Sequence, residues 1–307
     1  LDEGLASEVG PESGAPPGAT VEGSDRALGE TRRAWADYWS RSGVALDDAA
    51  LERTWYWNHY FFNCAAKAGV NCPGLFANWS YRNIGTPWHC DYHMNYNTQQ
   101  PFWLPFSSNR VEKNLPYVEL VERLLPLSRQ WAREYYGLRG AYFPHSAYPV
   151  EMTMSPYPVP TWGWEICETP WSVQGLWWHY LYTMDKDFLR DRAFLPIRDA
   201  VLFLVDYMKR PAAHGPSWGD DKYHVFPTVP PELYGLQPGF KYNHDCLVDL
   251  TLIKFVMRAY LEAVRVLGVD AGEHDTVGDV ADILAHFPEY PTAESGRGTV
   301  FVSVPGE

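Results

Sequence analysis

Apolar positions recur at helical spacing in several separate stretches of this 307-residue chain. In the first stretch, Ala34, Trp35, Tyr38 and Trp39 fall on one face of a helix, because residues three and four apart lie one above the other. The same spacing, with its capping and Gly signals, predicts helices over residues 27–43, 48–67, 117–136, 171–184, 187–209, 246–267 and 276–287.

Long irregular stretches separate these helices at residues 71–106, 137–170 and 210–245, which are crowded with Pro, Tyr and Trp. Loops of this length inside a compact domain are usually functional. Residues 298–304 alternate like a strand but have no evident partner strand in the sequence. Residues 1–26 are expected to form a disordered segment or linker, and residues 27–307 to form the folded domain.

Paired helices that alternate with long aromatic loops favour an all-α toroid, in which loops at one end build a substrate cleft. A complete (α/α)6 toroid of six hairpins needs about a dozen helices, and the pattern predicts about seven. The expectation is therefore an (α/α)6 fold of which this chain holds about the first half.

The composition narrows the classes of partner. The net charge of −13 argues against nucleic-acid binding, which needs a basic surface stripe. The sequence contains no run of 18 apolar residues, so it predicts no membrane-spanning helix. None of the five cysteines lies in a Cys-x-x-Cys pair, which makes a zinc or redox pair unexpected. The chain has 14 Trp, 20 Tyr and 14 Phe. These side chains could bind sugars, whose rings stack on aromatic faces, or they could fill a wide helical core.

The densest polar and aromatic cluster runs from Trp88 to Trp103. Its polar side chains occupy alternate positions, and in an extended segment they would share one face. Amides and a carboxylate between two Trp residues can bind sugar hydroxyls, and Asn side chains can hold an attacking water. The residues of this face are Asp91, His93, Asn95, Asn97 and Gln99.

Two other interpretations of this cluster remain open. One is an edge strand of solvated polar groups. The other is a metal site formed by His89, Asp91 and His93. We do not favour this site, because the neighbouring Asn and Gln side chains are poor ligands for zinc. No metal or cofactor is therefore expected.

Glu232 is the second candidate, in Phe226-Pro-Thr-Val-Pro-Pro-Glu-Leu-Tyr-Gly235. It is the only acidic residue between Asp221 and Asp245, and it follows a Pro-rich turn. Apolar neighbours would raise its pKa, as a general acid requires. An ordinary loop carboxylate fits this segment equally well.

A third candidate group spans Trp162 to Trp171. Here Trp164 could stack on a sugar, while Glu165 and Glu168 could bind sugar or act as helix N-terminal charges. Capping is the favoured role for Glu168, which directly precedes Thr-Pro. His145 has no informative spacing and is interpreted as a packing or surface residue.

At the level of motifs, residues 39–267 resemble the glycoside hydrolase family 95 catalytic domain, the α-L-fucosidases and their relatives on an (α/α)6 barrel. The matching segments occur in the same order as in the family. They are Pro73-Gly-Leu-Phe-Ala-Asn-Trp79 with Trp88, Asp91-Tyr-His-Met-Asn-Tyr-Asn-Thr-Gln99, Trp177-Trp-His-Tyr-Leu-Tyr-Thr-Met-Asp-Lys-Asp-Phe-Leu189 and Pro227-Thr-Val-Pro-Pro-Glu232.

The resemblance implies an inverting hydrolase of α-linked, fucose- or galactose-like sugars. It assigns Asn95 and Asn97 to the attacking water and Glu232 to the general acid, with Trp79 and Trp88 in the cleft. The family's base, an Asp of an Asp-Gly-Asn-type motif, has no counterpart here, and Pro227-Thr-Val-Pro replaces the usual Ser-rich turn. The chain alone is therefore expected to be inactive. The family's usual role implies a secreted or periplasmic protein.

Other functions stay open at this point. A phosphorylase or a trehalase-like hydrolase could use the same toroid, and a non-catalytic sugar-binding protein could keep the aromatic cleft without the acid–base pair. A helical scaffold without a ligand is the least favoured alternative, because the loops are so rich in Trp.

Overall fold

The computed structural model describes residues 21–75, 91–147 and 162–307, and they are mainly helical. The long helices are α1 (Val21–Ser40), α2 (Ala49–Ala65), α4 (Leu115–Trp131), α5 (Glu168–Thr183), α7 (Phe194–Met208), α8 (Leu247–Leu267) and α9 (Asp270–Ala285). Short elements are β1 (Tyr92–His93), α3 (Leu104–Ser107), β2 (Ser146–Ala147), α6 (Lys186–Phe188), β3 (Thr292–Ser295) and β4 (Gly298–Phe301).

All seven predicted helices are present, with bounds shifted by a few residues. α1 begins at Val21, inside the segment expected to be linker. The predicted helix over 187–209 comprises α6, a π-helical turn over Leu189–Ala193 and α7. The expectation that the terminal strand has no partner is wrong, because β4 pairs antiparallel with β3 and Thr292 lies opposite Phe301.

The described residues divide into two compact units, one up to Arg53 and one from Thr54 onward. In the first unit, the rings of Trp35 and Trp39 stack with centroids 5.7 Å apart, and both contact the ring of Tyr38 edge-on. This confirms the aromatic face that the spacing predicts for α1.

The core of the second unit lies among α4, α5, α7 and α8. α7 is its most buried helix, because apolar residues cover nearly all of its sides, including Ile197, Phe203 and Tyr207, which have no exposed surface. On α8 the apolar face carries Ile253 and Met257. Burial of such side chains is the main stabilising contribution to folding.

Local signals define where these helices begin and end. The Asp185 carboxylate accepts hydrogen bonds from the amides of Asp187 and Phe188 at 2.9 and 3.0 Å, which caps α6. α8 ends at Gly268, whose φ of 67° is typical of a left-handed helix terminus. Gly140 allows its loop to pack against α7, because a Cβ atom at this position would lie only 2.1 Å from the backbone carbonyl oxygen of Asp199. No helix in the described stretches is long and apolar enough to span a bilayer.

Candidate active site

Three carboxylates are buried together where α5 and α8 begin. Glu165 lies just before α5, Glu168 is its first residue, and Asp249 is in the first turn of α8. All three residues have no exposed surface. Burial of acidic residues at this level is rare unless their charges are compensated.

The predicted position of Glu168 at the N-terminus of α5 is confirmed, but its predicted capping role is wrong. Among the described residues, no hydrogen-bond donor meets any of the four carboxylate oxygens of Glu165 and Glu168 in bonding geometry. Glu168 therefore does not cap α5, and its carboxylate points instead toward that of Glu165.

Burial raises the pKa of all three acids. The pKa of Glu168 lies well above its usual value, because of desolvation first and of the neighbouring Glu165 second. Desolvation also raises the pKa of Glu165. It raises the pKa of Asp249 to about 8, although Thr228 Oγ1 donates a hydrogen bond to Asp249 Oδ2 at 2.9 Å, which lowers the pKa. Burial thus shifts all three groups toward their neutral forms.

Two motifs that are far apart in the sequence meet at Glu165. The Asn95 side chain and the backbone N–H of Glu232 both approach its carboxylate closely enough to lower its pKa. The contact is held by Trp164, whose carbonyl oxygen accepts a hydrogen bond from Val229 N at 2.9 Å and lies 3.2 Å from Thr228 Oγ1. The fold therefore brings the Asn-containing segment and the Glu232 loop to one place.

The Glu232 side chain is exposed, as are Leu233 and Tyr234 beside it. The apolar enclosure predicted for Glu232 is thus not formed by the residues that the structure describes. Glu232 has a φ of 59°, a left-handed conformation that costs a non-Gly residue energy and is often found at functional sites. Asn243 supports this loop, since its Nδ2 donates to Thr228 O at 3.1 Å and to Gly235 O at 2.7 Å.

The extended segment predicted over residues 91–99 is wrong beyond His93. β1 pairs only with β2, and the chain then turns, with Thr98 N donating to His93 O at 3.0 Å. The Gln99 side chain donates to Met94 O and closes the turn. Asn and Asp side chains favour such turns, and a strand without a longer partner gains little from staying extended.

The turn separates the predicted polar face into buried and exposed parts. Asp91, His93, Asn95 and Gln99 are buried, and the Asp91 carboxylate contacts His93 Nδ1 directly. Asn97 is exposed and lines a groove of about 570 Å³ with Trp103 and Phe61.

The predicted stacking residues occupy different environments. Trp103 is 37% exposed and contacts the rings of Tyr96 and Trp178 edge-on, at 5.8 and 6.3 Å between centroids. Trp164 is half-buried and packs edge-on against Tyr136 at 5.7 Å. Trp79 and Trp88 lie outside the described residues, as does His89 of the alternative metal site.

Sequence reasoning missed two members of the site. His145 was interpreted as a packing or surface residue, yet its ring nitrogen lies within 4.8 Å of carboxylate oxygens of Glu165 and Glu168. Its ring also contacts that of His93, at 4.8 Å between centroids. Asp249 was not singled out, because a lone Asp near a helix start is an ordinary N-terminal charge and gives no sequence signal of burial.

Comparison with known proteins identifies the family. The glycosyl hydrolase family 95 catalytic domain matches residues 24–298. Alpha-L-fucosidase 2 of Arabidopsis thaliana is 25% identical over 260 residues, which cover 83% of this chain and 29% of that protein. The chain thus spans less than a third of the length of this relative. The match over most of its length, together with the helical fold, shows that the chain belongs to the glycosyl hydrolase family 95 catalytic domains.

Proposed function

We propose that the protein containing this chain is an inverting glycosidase that cleaves α-linked, fucose- or galactose-like sugars. The observation that carries the proposal is the meeting of the Asn95 segment and the Glu232 loop at Glu165. Family membership and the fucosidase relative support the sugar class. We further propose that the substrate lies outside the cytoplasm, in keeping with the family's usual role.

In this proposal Glu232 protonates the leaving glycosidic oxygen. Its exposed carboxylate can reach a substrate bound over the loop, while its left-handed backbone directs its own N–H toward Glu165. A substrate that covers Glu232 would desolvate the carboxyl group and raise its pKa, as an acid catalyst needs.

Asn95 and Asn97 orient the attacking water. Asn95 is buried beside Glu165, whereas Asn97 faces the groove, so the two amides differ in access to substrate. Inversion requires a separate base on the opposite side of the sugar from the acid. We propose that this base comes from a part of the protein outside these 307 residues, because the family's Asp-Gly-Asn-type motif is not found here.

Exposed aromatic rings next to Asn97 support a carbohydrate substrate. Trp103 and Tyr96 form an edge-on pair, and Tyr96 also lies 6.1 Å from the ring of Trp171. Aromatic faces of this kind stack on the C–H faces of sugars. The sugar would then lie between the rings and the Glu232 loop.

The test compares Glu232→Gln with its parent in the protein that contains this chain. We expect kcat/KM to fall by about 10²–10⁴-fold for substrates with poor leaving groups. For activated aryl glycosides, whose leaving groups need no proton, the loss should be much smaller. Glu289→Gln, at an exposed carboxylate, is the control and should keep parental activity.

Two further measurements distinguish the alternatives. NMR of the first-formed product should show the inverted anomer, and Asn95→Ala and Asn97→Ala should each lower kcat by at least about tenfold, because a misoriented nucleophile is costly. Equal losses for good and poor leaving groups in Glu232→Gln would exclude Glu232 as the acid. Sugar binding without turnover in the parent would favour the non-catalytic alternative.

A further inference from the structure

The buried corner at the start of α5 holds three carboxyl groups with few hydrogen-bond donors among the described residues. Glu165, Glu168 and Asp249 are fully buried, yet no described donor completes a hydrogen bond to either glutamate, and Asp249 Oδ1 is also unmatched. Buried carboxylates are normally paired, protonated or bound to a metal. As far as the described residues go, the corner can be completed by protons or by a cation.

The arrangement around the two glutamates suits a cation. One ligand atom each from His145, Glu165 and Glu168 lies within 4.8 Å of the other two. Atoms bound to a single ion at about 2.0–2.6 Å lie at most about 4–5 Å apart. Three different side chains thus already lie close to the separation that one ion would impose.

Asn95 gives a second, independent indication. Its side chain is 4% exposed, and its Oδ1 has no donor among the described residues, while its amide N–H approaches Glu165. A buried amide oxygen without a donor is costly, and a half-turn of the amide would bring Oδ1 to a cation bound by the carboxylates.

The surroundings of His145 also resemble those of a metal ligand. Its Nδ1 is 3.0 Å from Ser146 Oγ, which can fix the tautomer and direct Nε2 to the ion, as is usual for ligating histidines. Its carbonyl oxygen accepts from Met94 N at 2.8 Å, which ties it to the segment that carries Asn95.

We propose that His145, Glu165 and Glu168, with Asn95 Oδ1, form a binding site for a divalent transition-metal cation. One imidazole among oxygen ligands suits Zn²⁺ or Mn²⁺ better than Ca²⁺, which prefers oxygen ligands throughout. The site adjoins the proposed acid, because the backbone N–H of Glu232 approaches Glu165 and the charge of the Glu232 carboxylate raises the pKa of Glu165. By holding Asn95, the cation would also fix one of the two amides proposed to orient water.

The experiment uses protein treated with a chelator, then titrated with Zn²⁺ or Mn²⁺ and followed by calorimetry and, for Mn²⁺, by electron paramagnetic resonance. We expect one ion per chain in the parent, and affinities weakened by more than about 100-fold in Glu165→Gln and in Glu168→Gln. Glu273→Gln is the matched control, since Glu273 is a buried glutamate that bonds Arg198 and Tyr260 and lies outside the site. It should bind the ion like the parent.

Thermal unfolding separates a cation from protons shared by the two glutamates. If a cation binds, the melting temperature of the parent should rise with the logarithm of the metal concentration, and that of the two Gln variants should not. Without metal, the variants should be at least as stable as the parent, since each removes one of two neighbouring buried carboxyl groups that disfavour each other's ionised form. Absence of saturable binding up to millimolar Zn²⁺ and Mn²⁺ in the parent, or unchanged binding in both variants, would overturn the proposal in favour of a shared proton.

The outcome is independent of the proposed hydrolysis. A parent that binds one ion but cleaves no glycoside would support this site and contradict the proposed function. A parent that binds no ion but cleaves glycosides, with cleavage lost in Glu232→Gln, would support the proposed function and contradict this site.

Discussion

Two regions bring carboxyl groups to one corner of the molecule, and their environments are opposite. Glu165 and Glu168 are fully buried at the start of α5, whereas Glu232 is exposed in a loop with left-handed backbone. The buried pair is positioned by a packed helix and is costly to ionise. The loop carboxylate is positioned by backbone hydrogen bonds and stays accessible to solvent. The comparison teaches that a strongly raised carboxyl pKa reports burial and does not by itself give access to a ligand.

The largest expected effect concerns the pH dependence of the buried region. The folded-state pKa of Asp249 is about 8, above the unfolded value of about 3.9. Between these two pH values the unfolded chain binds fewer protons at this residue, so the contribution of Asp249 to the free energy of unfolding is full below about pH 4 and is lost as the pH rises toward 8. We expect a slope on the order of 1 kcal/mol per pH unit.

Urea unfolding of Asp249→Asn between pH 5 and 8 tests this slope, which should become clearly shallower. Asp282→Asn is the control with the opposite sign, because a hydrogen bond from Tyr223 lowers the pKa of Asp282. That variant should keep the parental decline toward pH 8. An unchanged slope in Asp249→Asn would mean that Asp249 is not buried in its protonated form.

Within the Glu232 loop, we expect substitution of Asn243 to destabilise the protein most. Its buried side chain makes three hydrogen bonds, two as donor to the carbonyl oxygens of Thr228 and Gly235 and one as acceptor from Gln237 N at 2.7 Å. Asn243→Ala should lower the free energy of unfolding by about 3 kcal/mol, because several buried polar groups lose their partners. Denaturant unfolding measures this, and Asn58→Ala, which removes an exposed hydrogen bond to Thr54 O, should change stability by less than about 0.5 kcal/mol.

Thr228 connects the two regions, since its hydroxyl lies 3.2 Å from Trp164 O and 2.9 Å from Asp249 Oδ2. Thr228→Val should cost about 1–3 kcal/mol, because a buried carboxyl group loses its donor. It should also raise the pKa of Asp249 further, since this hydrogen bond lowers it. Unfolding at several pH values measures both effects. Thr228→Ser, which keeps the hydroxyl, should retain most of the stability, and an equal loss in both variants would contradict the hydrogen-bond explanation.

The smallest effect is expected at Glu232 itself. Its φ of 59° is unfavourable for a residue with a Cβ, so Glu232→Gly should be up to about 1 kcal/mol more stable than Glu232→Ala. Both variants should lose the proposed acid activity. A Gly variant that is less stable than the Ala variant in thermal unfolding would show that this conformation is not strained.

The helices could be predicted from the sequence because their signals are local. Apolar spacing along α4, α7 and α8 and the terminal Gly268 lie within each segment, so neighbouring residues alone define them. The strand partner of β4 was missed because β3 reads as Thr-Ala-Glu-Ser, without apolar alternation. The pairing of a short, exposed hairpin depends on its turn and on backbone hydrogen bonds rather than on pattern.

The sequence by itself determined the helical class and the family, and it singled out Asn95, Asn97 and Glu232 as candidates. Only the tertiary structure decided which polar groups lie close together. Glu165 lies next to Glu168, His145 lies near both, and Asp249 is hydrogen-bonded to Thr228. The physical reason is that helix formation depends on residues three and four apart. Desolvation and charge coupling depend on distance in space, which no spacing along the chain encodes.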